Sequence, residues 1–183
     1  MLSYIGYTPK ENASYTIQYQ EAFEFLFNNR DNAKKESKLI DLPLLYLLRH
    51  YLELSFKYNI DYFKDFSEKT DYLVKSKDTH DINCLYLGFK LHFDESFKKL
   101  KVDKSIKKQI NSYFMNLKKL VDILINLDND GVSFRYSNDK YGSKNIDLET
   151  TLNLIEDIGK PYKNCKDLLD YSTNVHNDLL IKG

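Results

Sequence analysis

Apolar residues fill the stretch 42–58, LPLLYLLRHYLELSFKY, almost all round a helix: Leu44, Leu45, Leu47, Leu48, Leu52, Leu54 and Phe56. A helix with so little polar surface belongs inside a bundle. Yet Tyr46, Arg49, His50, Glu53 and Lys57 fall within an arc of about 100° on a 3.6-residue turn. Charge on a buried helix needs partners, because an unpaired buried ion costs several kcal/mol. The question posed by the sequence is what this stripe meets.

The flanking pattern is helical as well. Residues 1–12 read as an irregular lead-in broken by Pro9, and Asn12 or Ser14 can cap a helix to about residue 29 through Ile17, Phe23, Phe25, Leu26 and Phe27. Residues 30–41 form a polar connection, ending in Asp41 as an N-cap with Pro43 in the first turn. The central helix should occupy most of 43–73, with a bend near Asn59 and Asp61. After a short loop at 75–79, Ile82, Leu85, Tyr86, Phe89, Phe93 and Phe97 predict a helix over 80–100. Asp103 caps another to about 127, with Ile106, Ile110, Tyr113, Phe114, Leu117, Val121 and Leu124 on its buried face. Asn, Asp, Gly and Ser cluster in 128–146, which reads as a long loop with room for a short hairpin, and loops of that length are often functional. Asp147 caps the last helical region, broken or kinked at Gly159-Lys160-Pro161 before a final helix over 162–180. The pattern predicts an all-α single domain over 1–183, a bundle of about five helices.

Composition supports this. The chain of 183 residues is long enough to bury one core, and six Gly with three Pro leave little punctuation for a fold of many tight turns. Formal net charge is zero, so no global argument for nucleic acid or membrane exists. No apolar run reaches the length of a membrane span, and the N-terminus lacks a signal-peptide pattern. Cys84 and Cys165 form no CxxC pair and read as small core residues, so the expected compartment is a reducing cytoplasm. Of 27 basic residues only Arg30, Arg49 and Arg135 are arginine; where lysine is the default cation, an arginine suggests that its planar five-donor fork is needed.

Four places can carry chemistry. Glu53 lies one helical turn from both Arg49 and His50. As a site, Arg49 would stabilise a phosphate or oxyanion, His50 would move a proton and Glu53 would orient one of them. As structure, the same residues would be a self-satisfied polar network that fixes packing. His80-Asp81 opens a helix, where Asp81 can cap and His80 can turn toward the stripe or cap as well. Phe134-Arg135-Tyr136, with Asp139 and Gly142 following, reads either as a ligand clamp or as a surface hairpin. The lysines at 98, 99, 101, 104, 107, 108, 118 and 119 read as a solvated helix face or as a track for a nucleic-acid backbone. Asp81, His92, Asp94 and Glu95 make no metal pattern, no HExxH is present, and neither metal nor cofactor is assigned.

Together, an apolar helix carrying RHxxEL with Lys57 four residues after Glu53, a following His80-Asp81, and the Phe134-Arg135-Tyr136 loop with Asp139 and Gly142 resemble a branch of the HEPN-like superfamily over roughly residues 40–145. The resemblance implies a small, often dimeric helical bundle acting in bacterial defence, toxin–antitoxin pairs or RNA processing. Active members of that superfamily are metal-independent endoribonucleases with an Arg and a His at the dimer interface; others bind RNA or nucleotides, or serve as partner modules. This chain lacks the Arg-x4-6-His nuclease signature, because Arg49 and His50 are adjacent. What carries over is the constellation Arg49, His50, Glu53, His80 and Arg135, with Tyr136 and Lys57 beside it as ligand-binding candidates.

The expectation is therefore an RNA- or nucleotide-directed protein of a defence or stress system, a homodimer, not a membrane protein. Its chemistry would be metal-free RNA cleavage, with His50 or His80 as base, Arg49 or Arg135 on the phosphorane, and Glu53 holding one of them. The alternative is a non-catalytic dimerisation or protein-interaction module whose Arg/His/Glu cluster is structural. A site should be open to solvent; a structural network should be buried and fully paired.

Overall fold

The computed structural model describes residues 12–36, 40–68, 80–99, 104–128 and 148–158. They form α1 (Asn12–Asn28), α2 (Arg30–Lys35), α3 (Asp41–Ser67), α4 (Ile82–Lys98), α5 (Lys104–Asp128) and α6 (Leu148–Ile158). Among the described residues there is no strand, and the fold is an all-α bundle.

The central helix is α3, which packs against both α1 and α4; α5 packs against α4, and α6 against α5. Leu44, Leu48, Leu52, Phe56, Ile60 and Phe63 line one face of α3 at helical spacing, none more than 2% exposed. They meet Ile82, Leu85, Phe89 and Phe93 of α4, and Phe114, Leu117, Val121 and Leu124 of α5 complete the core. Removing a Leu or Phe side chain of this kind from water is worth about 1.5–3 kcal/mol. Phe114 anchors α5 by its edge against Phe93, ring centroids 4.9 Å apart at 61°.

Ring contacts also set direction. Phe56 meets Tyr86 and Phe63 meets Phe93, so α4 advances in the same sense as α3. Lys90 lies over the Phe114 ring, and Tyr86 reaches the Phe114 carbonyl, while Phe97 shares a groove with Lys107 and Ile110. Hence α5 runs back antiparallel to α4. Its C-terminal end returns to the level where α4 begins, beside the middle of α3.

Several boundaries differ from the sequence reading. The polar connection after residue 29 contains a helix, α2, seeded where Asn29 N–H bonds to the Phe25 and Leu26 carbonyls and Arg30 folds over the Phe27 ring at 4.2 Å. Ile40, not Asp41, is the N-cap of α3; Leu44 N–H makes the first bond back to its carbonyl, leaving Pro43 where a missing N–H costs nothing. Helix α3 passes through Asn59 and Asp61; Asn59 Nδ2 donates to the Ser55 carbonyl and Ser55 Oγ to that of Tyr51, so these two donors are used along the helix itself. It closes at Ser67, earlier than expected, with Glu68 in the left-handed region at φ 56° and its N–H on the Lys64 carbonyl. Phe25 and Ile17 of α1 face outward, at 68% and 40% exposed. The expected loop at 129–146 and the final helix over 162–180 lie outside the described residues. No helix of the described residues is long and apolar enough to cross a membrane.

Candidate functional site

Helix direction assembles the polar cluster. Because α4 starts and α5 ends at the level of Arg49, that side chain faces a carbonyl that the C-terminus of α5 leaves without an intrahelical partner and the carbonyl of the residue before the α4 cap. Arg49 Nε donates to the Asp128 carbonyl at 2.9 Å, the last residue of α5. Its Nη2 donates to the His80 carbonyl, just ahead of α4. Its Nη1 donates to Glu53 Oε2 at 2.6 Å. The guanidinium is thus spent on three helices at once and is 1% exposed. A cation at the C-terminal end of α5 also meets the negative pole of its dipole.

Glu53 is 3% exposed and uses both oxygens. Oε2 takes Arg49; Oε1 takes Lys57 Nζ at 2.9 Å and faces His80 Nδ1 at 2.8 Å. Burial by itself would raise its pKa, but hydrogen bonds and charge from Lys57 and Arg49 outweigh burial and hold the carboxyl at about 2. The Asp128 carboxylate lies 3.9 Å from Arg49 Nε and is buried. Two cations and two carboxylates therefore balance within the cluster.

The neighbouring α4 terminus also has a cap of its own. Asp81 is the N-cap, its carboxylate accepting from Cys84 N–H at 2.9 Å. Partial burial and the Asp81 carboxylate push the Cys84 thiol up, which disfavours the reactive thiolate.

Of the residues singled out in the sequence, the structure brings together Arg49, Glu53, Lys57 and His80. His50 goes elsewhere. Adjacent residues on a helix diverge by about 100°, so His50 turns to α1 while Arg49 turns to α4 and α5. Its ring meets Tyr19 edge-on at 4.3 Å and stacks on Tyr46 at 5.8 Å. Arg135 and Tyr136, with the rest of their loop, lie outside the described residues.

No family model, curated protein or solved structure matches the chain.

The network is closed at its centre and open at one edge. Arg49 and Glu53 are sealed, whereas the His80 side chain is 61% exposed and that of Lys57 20%. A sealed guanidinium whose three nitrogens each donate inward is not open to an incoming phosphate. The exposed imidazole, seated on a carboxylate, keeps much of its ring in solvent. Among the described residues no group of three or more His, Cys, Asp or Glu side chains is placed to hold a metal ion.

Sequence reasoning missed Asp128, taken as the first loop residue. A signal was present: Phe114, Leu117, Val121, Leu124 and Asp128 continue one buried helical stripe, so an acid at its end falls on the core side. An acid on that stripe implies a buried cation opposite.

Proposed function

We propose that this chain is a non-catalytic, HEPN-like interaction module in which Arg49, Glu53 and Asp128 form a structural lock between three helices. The observation that carries this reading is the inward hydrogen bond made by each of the three Arg49 guanidinium nitrogens at 1% exposure. A catalytic arginine must reach substrate; this one closes helix ends. The test is incubation of a mixed RNA pool with the purified protein in EDTA, beside Arg49→Ala monitored by circular dichroism. No cleavage, with Arg49→Ala losing cooperative unfolding, is the expected result. Cleavage that vanishes in a folded Arg49→Ala variant would overturn it.

A second reading rests on the exposed His80 ring, with Nδ1 2.8 Å from Glu53. In a metal-independent ribonuclease of a defence or stress system, Glu53 would orient this imidazole and His80 would deprotonate a 2′-hydroxyl. His50, edge-on to Tyr19 of α1 and stacked on Tyr46 of α3, would have no part in that step. Under this reading His80→Ala abolishes RNA cleavage and leaves the circular dichroism spectrum unchanged. Cleavage that survives His80→Ala rules out His80 as the base.

A further inference from the structure

The antiparallel pair α4 and α5 leaves a groove along its outer face. Two open depressions of about 630 and 400 Å³ lie end to end in it and share Asn111. The floor is apolar: Phe93 and Ile110 under one half, Tyr86 and Phe114 under the other. At the wall, Met115 is 58% exposed.

The charges of the groove are unequal in their commitments. Asp94, Glu95 and Asp122 are each paired within their own helix, with Lys90, Lys98 and Lys118. Lys107 and Lys119 also line the groove and make no ion pair among the described residues. Exposed Lys104 and Lys108 add to the same helix, and residues 104–121 contain no acid. The net-neutral chain therefore carries a local basic surface, with a lysine near each end of the groove that makes no ion pair among the described residues. Twelve residues of helix separate Lys107 from Lys119, about 18 Å.

We infer that this groove binds an acidic amphipathic helix of a partner protein, with apolar side chains over Met115 and the floor and carboxylates at Lys107 and Lys119. This rests on the reading of the chain as an interaction module and names the face it uses. Charge complementarity selects an anion, and the apolar floor selects among anions. Of the rings that line the groove, Phe93, Phe114 and Tyr86 are at most 5% exposed and Phe97, at one end, is partly buried, so successive nucleobases would find no row of ring faces on which to stack. A thioether at the wall is a soft surface that adapts to apolar side chains. An amphipathic helix of three to four turns, about 18 Å long, matches both the length and the pattern of apolar centre and charged ends.

The test uses the full chain and three probes: a displayed pool of helical peptides of about 15 residues with Asp and Glu at both ends and varied apolar residues along one stripe, a pool of the same composition with the stripe scrambled, and oligo(U) of similar length. The striped pool is expected to yield binders held at least about tenfold tighter than their scrambled versions, and weakened about tenfold by Lys107→Glu with Lys119→Glu or by Met115→Glu alone. Circular dichroism checks the fold; should the double variant unfold, Met115→Glu and Lys119→Gln singly carry the same comparison. Equal retention of the scrambled pool, tighter binding of oligo(U), or no binder from the striped pool would each overturn the inference. RNA cleavage would overturn the module reading itself, whereas an absence of peptide binders would remove only this groove.

Discussion

Glu53 accepts from Arg49 one turn along α3 at 2.6 Å, and neither side chain is more than 3% exposed. The pair could have been a local helix ornament of a few tenths of a kcal/mol. It is instead the centre of a lock, because the same guanidinium also takes the end of α5 and the residue before the α4 cap. Arg49→Ala would leave Glu53 and the Asp128 carbonyl buried, and the His80 carbonyl part-buried, without that donor, at a cost of about 3–5 kcal/mol. Arg49→Lys should rescue little, since one ammonium cannot span three acceptors in a plane. Urea denaturation followed by circular dichroism measures both.

Acid should loosen the lock in a defined window. The Glu53 carboxyl is held at about 2, below its ordinary value of 4.5. A depressed carboxylate contributes stability that is fully present above the ordinary value and is lost as pH falls toward the folded one. Unfolding free energy should therefore decline between about pH 5 and pH 2, and Glu53→Gln should flatten that part of the curve while lowering stability at pH 7. A variant with an undiminished slope would show that other carboxylates dominate the acid transition.

His80 offers a contrast with Arg49. Its ring is largely exposed, and the group Arg49 uses is the backbone carbonyl, which His80→Ala retains. The substitution should cost no more than about 1 kcal/mol, as for an exposed pair. A melting temperature lowered as far as in Arg49→Ala would place the imidazole inside the lock.

Asp81 acts one residue on. Its carboxylate holds Cys84 N–H and sets the α4 terminus that presents the His80 carbonyl. Asp81→Ala should cost about 1 kcal/mol as a lost cap. Combined with Arg49→Ala, the loss should be less than additive, since both act on the same helix end; a double-mutant cycle by urea denaturation reads the coupling.

In the core, Phe89 touches Phe56, Phe63 and Phe114 and is fully buried, so it joins α3, α4 and α5. Phe89→Ala should cost about 3–5 kcal/mol by opening a cavity at that junction. Exposed Phe25→Ala, by comparison, should change the urea midpoint little.

Much of the helical layout was legible. The 3.6-residue spacing of Ile82, Leu85, Phe89 and Phe93 marks α4, and that of Phe114, Leu117, Val121 and Leu124 marks α5, because burial of one face is a local, periodic demand on the sequence. Asp81 as a cap was legible for the same reason: a cap bonds three residues away. Helix α2 was not, because its stability rests on an aromatic–guanidinium contact and turn bonds that leave no periodic trace.

The sequence by itself determined an all-α chain and a buried helix with Arg49, His50 and Glu53 on one side of it. Only the tertiary structure decided that this stripe divides, Arg49 and Glu53 to the ends of α4 and α5 and His50 to α1. The division follows from the direction in which α4 and α5 pass α3, and direction is a property of packing between distant segments. Asp128, 79 positions from Arg49, enters the cluster for that reason alone.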